Sequence, residues 1–171
     1  MIFIKYIILV CIFGISTSIG FMLSKKTSDR VKELKEFKKA TNMIENKMKF
    51  TYEPLGEIFN SISKTTCENI SAIFKAGSKN LKEENIKNAW KNAIELNENY
   101  LHINQEDKNI ILSLGNSLGK TDVDGQVSEL KLVKDFLDTQ ILKAEDDRRK
   151  NEKMYKSLGY IIGIAIVIIL I

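Results

Sequence analysis

The chain has 171 residues, and its 26 basic side chains stand against 22 acidic ones, for a formal net charge of +4. That surplus is too small and too scattered for a nucleic-acid footprint. Two distant cysteines, Cys11 and Cys67, support no disulfide framework, and a single proline, Pro54, leaves long helices free to form.

Residues 1–23 read MIFIKYIILVCIFGISTSIGFML, with Lys5 as the only charge. A helix rises ~1.5 Å per residue and a hydrocarbon core is ~30 Å thick, so about 20 apolar residues make a span. The segment meets that length. A cleaved signal peptide would put its basic residues first and end on small residues, a site that Ser16, Thr17 and Ser18 imitate. Here the strong positive charge comes afterwards, at Lys25, Lys26, Arg30 and Lys32, which suits a retained anchor.

Residues 24–153 form the expected domain. Its apolar period is helical throughout. Val31, Leu34, Phe37, Thr41, Ile44 and Met48 predict a first helix near 28–50. Pro54 suits the opening turn of a second, with Leu55, Ile58, Phe59 and Ile62 on its inner face. A third carries Ile70, Ile73 and Phe74 and is expected to stop at Gly77. A fourth is expected over about 82–98, with Ala89, Trp90, Ala93 and Ile94 on one side. Asn104 followed by acids reads as an N-cap opening a fifth helix, with Gly119 as its C′ residue. Thr121 or Asp122 caps the sixth, whose stripe is Val127, Leu130, Val133, Leu137, Ile141 and Ala144. With no proline after it, this helix is expected to continue into the membrane, ~75 Å in all at ~1.5 Å per residue. Such a rigid rod would transmit tilt or rotation, with Gly159 as the weak point.

Residues 154–171 contain LGYIIGIAIVIILI, a second span if Met154 to Ser157 enter the interface and Lys153 and Lys156 snorkel. Basic residues cluster on the domain side of both spans. The positive-inside bias therefore predicts a two-pass membrane protein with a cytoplasmic central domain. Ser16 and Gly20 form a small-xxx-small pair in the first span, and Gly159 and Gly163 form another in the second. They read either as a packing seam, within the hairpin or between copies, or as the ordinary glycine content of membrane helices.

The other motifs are weaker. Gly115-Asn116-Ser117-Leu118-Gly119-Lys120-Thr121 resembles a phosphate loop, but it is one residue short and follows a helix rather than a strand. It reads as a helix stop, a turn and a cap. Asp122-Val123-Asp124-Gly125 resembles the start of a calcium loop without its closing glutamate, so its acids read as helix-capping. His102 is the only histidine, placed as a surface or half-buried turn residue, and Trp90 reads as a core or interface anchor. No nucleophile, metal ligand set or acid–base pair stands out, so no catalytic residue, cofactor or metal is expected.

Short motifs recur in a fixed order along nearly the whole chain. They are Gly20-Phe21 with its basic sequel, Tyr52-Glu53-Pro54-Leu55, Ala89-Trp90, Leu118-Gly119-Lys120-Thr121-Asp122 followed by Gln126, and Tyr155-Lys156-Ser157-Leu158-Gly159. In this order the sequence resembles the stage III sporulation protein AB family of endospore-forming bacteria, with Gly56 where a second proline would be expected. That family in turn resembles the cytoplasmic domain of the platform protein of type II secretion and type IV pili. The resemblance implies an all-α fold, a membrane hairpin whose two spans flank an antiparallel six-helix bundle. Pro54, Leu55, Trp90, Gly119 and Gln126 would be its structural motif residues. It implies a non-enzymatic platform subunit of a secretion-like channel complex, on the mother-cell side facing the forespore. The implied partners are the lipid bilayer, a cytoplasmic secretion-type ATPase, other channel subunits and further copies of the chain, with no nucleic acid. A sensory helical bundle and a passive helical scaffold are the alternatives; the sensory reading needs the domain outside the cell, against the basic flanks.

Overall fold

The computed structural model describes residues 2–119 and 122–170, the side chains of Ile2 and Lys5 excepted. Among the described residues there are six α-helices, one 3-10 turn and no strand. They are α1 (Ile2–Phe50), α2 (Leu55–Ser63), α3 (Glu68–Asn80), α4 (Ile86–Asn97), the turn Glu98–Tyr100, α5 (Gln105–Ser117) and α6 (Val123–Leu170). The two long helices are each apolar enough over part of their length to cross a membrane. The chain forms two compact units, residues 1–31 with 143–171, and residues 32–142.

The anchor segment and the first domain helix, expected as separate elements, are one helix. No glycine or proline stands between Phe21 and Phe50 to interrupt the hydrogen-bond ladder. The continuous final helix runs through Gly159 without a break.

In the 32–142 unit, consecutive helices from α2 to α5 pack on one another. Pro54 stands at the N-cap of α2, one residue before the position expected of it. The stop expected at Gly77 does not occur. Gly77 lies inside α3, where a Cβ would come 3.1 Å from the Phe59 ring. It is glycine so that this ring can lie across it. The fourth helix starts later than expected, at Ile86, because Asn85 supplies the cap that Lys82, Glu83 and Glu84 cannot: its side chain accepts the Asn88 N–H at 3.0 Å.

Asn104 caps α5 reciprocally. Its side chain accepts the Asp107 N–H at 2.8 Å, and the fully buried Asp107 carboxylate accepts the Asn104 N–H at 3.0 Å. Gly119 follows at C′ with φ +78°, and its N–H donates to Gln126 Oε1 at 2.9 Å. Asp122 caps α6 by accepting the Gly125 N–H at 3.1 Å. The Thr121 alternative lies outside the described residues, as does Lys120 of the glycine-rich stretch.

Phe59, Phe74 and Trp90 form the aromatic centre of this unit, with ring centroids 5.1–5.4 Å apart. Trp90 has no solvent exposure, and its Nε1–H donates to Ile111 O at 2.8 Å. Only a void of about 10 Å³ remains where Phe37, Phe74, Trp90, Ile111, Val133 and Leu137 meet.

Two ion pairs join α1 to α6 around this core. Lys38 reaches Asp138 at 2.6 Å, and the buried Glu45 accepts from Lys134 and, at 2.7 Å, from Lys49. Hydrogen bonding from Lys134 and Lys49 outweighs desolvation and holds the Glu45 carboxyl below the usual glutamate range. Its stabilising contribution is therefore present above the unfolded-state value, about 4.3, and is lost as pH falls through the lower folded value. Glu45→Gln should lower the urea midpoint at pH 7, and the gap to wild type should narrow progressively as pH falls below the unfolded-state value of about 4.3. A gap unchanged at pH 3 would contradict this.

Candidate functional site

The small residues singled out in the two apolar segments meet in the unit formed by residues 1–31 and 143–171. Gly20 and Gly159 lie backbone against backbone. A Cβ on Gly20 would come 2.7 Å from Tyr155 O and 3.0 Å from Gly159 Cα, and one on Gly159 would come 3.1 Å from Gly20 Cα. Ser16 Oγ donates to Gly159 O at 2.9 Å, which uses the close approach to satisfy a hydroxyl in apolar surroundings. Gly163 makes room for Phe13, whose ring would be 2.8 Å from an added Cβ. Gly14, by contrast, has nothing within 4 Å.

Aromatic and charged groups frame this seam. Tyr160 packs against Phe13 and Phe21 with ring centroids 6.5 and 6.4 Å apart, and Lys156 Nζ lies 5.8 Å from the Phe21 ring centroid. Beyond it, Arg30 pairs with Asp147 at 3.0 Å. Pairs from 30 with 147 to 13 with 163 run in opposite senses along the chain, so the two segments are antiparallel. The outer faces are apolar and uncovered, from Phe3 at 85% exposure to Ile169 at 81%. In water such a surface would be a liability; in lipid it is the expected solvent-facing side.

The motif residues of the 32–142 unit serve packing and turns. Pro54 and Leu55 start α2, Trp90 fills the core, and Gln126 closes the turn at Gly119. Gly115 is inside α5 and lies against the Trp90 side chain, where a Cβ would be 2.8 Å away. Its glycine therefore serves a helix–tryptophan contact. Among the described residues no cluster of His, Cys, Asp or Glu is placed to hold a metal.

One polar cluster escaped the sequence reading. Glu33, 4% exposed, accepts the His102 N–H at 2.7 Å, lies 3.0 Å from His102 Nδ1, and accepts from Asn69 Nδ2 at 3.3 Å. Asn69 also donates to Tyr100 O at 2.9 Å. The half-buried His102 thus ties the 98–104 connection to α1. Glu33 lies four residues before Phe37 on the buried stripe, which was the available signal that this acid faces inward.

The sequence model of the family described as Stage III sporulation protein AB (spore_III_AB) matches residues 5–171. The Stage III sporulation protein AB of Bacillus subtilis (strain 168) is 26% identical over 157 residues, covering 91% of this chain and 92% of that protein. A solved structure of stage III sporulation protein AB (SpoIIIAB) superposes with a TM-score of 0.68 at 21% identity, over 71% of this chain and 98% of that one. The likeness to the solved structure carries the fold.

Proposed function

This chain belongs to the stage III sporulation protein AB family, and on that premise we propose that it is a non-enzymatic, two-pass membrane platform of a sporulation complex. Residues 1–23 and 154–171 are its spans. Residues 24–153 form an antiparallel six-helix bundle on the cytoplasmic, mother-cell side. There it docks a secretion-type ATPase and couples it to the other subunits of a channel facing the forespore. The observation that carries the reading is the seam at Gly20 and Gly159, with two lipid-compatible helices closed antiparallel on each other. A hairpin of this kind returns the chain to the side it left. The basic residues at Lys25, Lys26, Arg148 and Arg149 supply the orientation.

The test uses the full-length protein. In sealed, right-side-out cells the central region should resist external protease, and alkaline carbonate should leave the protein in the membrane fraction. A secretion-type ATPase should co-purify with it in mild detergent. Cleavage from outside, or release by carbonate, would end the platform reading; absence of the ATPase would reduce it to a passive scaffold.

A further inference from the structure

A groove of about 540 Å³ lies beside α2 and α3, bordered on one side by Pro54, Gly56 and Glu57 and on the other by Lys75, Lys79 and Lys82. Its floor is tight: Ser78 Oγ donates to Gly56 O at 2.7 Å. Gly56, where the family resemblance leads one to expect proline, adds no side chain over that floor. The three lysines are exposed and make no ion pair among the described residues, and Glu57 is the only acid lining the groove. Elsewhere in the same unit lysines do find acids, as Lys38, Lys47 and Lys134 do. The chain leading into the groove is also conformationally costly. Tyr52, 78% exposed, has φ +52°, the one described non-glycine residue in the left-handed region. Its N–H is held by Lys47 O at 3.2 Å, and Lys47 grips Glu53 at 2.8 Å.

We propose that this groove is the docking surface for an acidic helix of a cytoplasmic partner protein. Lys75 and Lys79 are one turn apart on α3, ~6 Å along its axis, which is the spacing of carboxylates at i and i+4 on an opposing helix. The lysines are spread along an open, exposed border, so they match a row of charges on a macromolecule better than a single small anion. The exposed Phe50 and Tyr52, beside the groove in sequence, are side chains of the kind that anchor interfaces. Taking that partner to be the ATPase rests on the platform reading; the acidic chemistry of the occupant does not.

The experiment compares the full-length protein with its K75E/K79E/K82E variant in detergent. Capture of the purified ATPase should fall about ten-fold or more in the variant, and wild-type capture should weaken with salt. Circular dichroism should stay unchanged, because all three side chains are exposed. Equal capture by both proteins would overturn the groove and leave the docking role standing. Should wild type capture no ATPase, the platform reading fails, and a fluorescein-labelled helical peptide with glutamates at i, i+4 and i+7 decides the groove alone. Binding to wild type and not to the variant upholds it; no binding overturns it. Charge-dependent binding of phosphatidylglycerol vesicles without peptide binding would make it a membrane contact and overturn it too.

Discussion

Gly20→Leu should drive the two apolar helices apart. The Gly20 position has no room for a side chain, since its Cβ would stand 2.7 Å from the backbone oxygen of Tyr155. Backbone cannot yield as a flexible side chain would. The close contact with Gly159 and the Ser16 bond to Gly159 O would be lost together. A loss of about 1–2 kcal/mol of interhelical contact lowers the ratio of closed to open pairs roughly five- to thirty-fold. The measurement is maleimide crosslinking between Phe13→Cys and Tyr160→Cys in membranes, with Cys11 and Cys67 replaced by serine. Gly14→Leu is the internal control: Gly14 meets nothing within 4 Å, so crosslinking should be unchanged. If both variants behave alike, the seam has no role in holding the pair.

Trp90→Ala should be the most destabilising change in the 32–142 unit. Trp90 is fully buried, packs against Phe59 and Phe74, and donates to Ile111 O. Removing a core tryptophan costs about 3–5 kcal/mol, the lost transfer energy plus the cavity left behind. Gly115→Ala should also destabilise, for the opposite reason. Its new methyl would stand 2.8–2.9 Å from Trp90 Cδ1 and Cβ, and overpacking of that kind costs about 1–3 kcal/mol. The two changes share one space, so the double variant should be less damaged than the sum of the singles. Urea unfolding followed by far-ultraviolet circular dichroism measures all three. Strict additivity would mean that Gly115 and Trp90 do not constrain each other.

Helical periodicity made most of this architecture readable. The stripe Val31, Leu34, Phe37, Thr41, Ile44 and Met48 is buried throughout, and so is the stripe from Val127 to Ala144 on α6. Local capping chemistry located α5, because Asn104 and Asp107 satisfy each other within four residues. The misreadings had a common physical source. A glycine inside a helix costs stability, so Gly77 looked like a stop. Its benefit is a contact with the Phe59 ring, which is distant in sequence and lies in no local window. The α4 start was misplaced because Lys82, Glu83 and Glu84 are good helix formers without a capping group. Glu33 was passed over because a charged residue on an amphipathic helix ordinarily faces water, and its partners His102 and Asn69 lie far along the chain. The small residues at 16, 20, 159 and 163 were visible as pairs within each segment. Which pair meets which is a question of register between segments, and sequence periodicity does not contain it.

The pairing of the first helix with the last sets the order of events at the ribosome. Lys38 and Asp138 are separated by 100 residues, and Ser16 and Gly159 by 143. Helices α2 to α5 can settle against their neighbours as they emerge, but a share of the α1 stripe waits for a cover that is synthesised last. A polypeptide halted before Val123 would present that stripe, and the unmatched face of Gly20, to whatever else is in reach. Stalled or truncated chains should therefore be held by chaperones and degraded rather than persist as folded fragments.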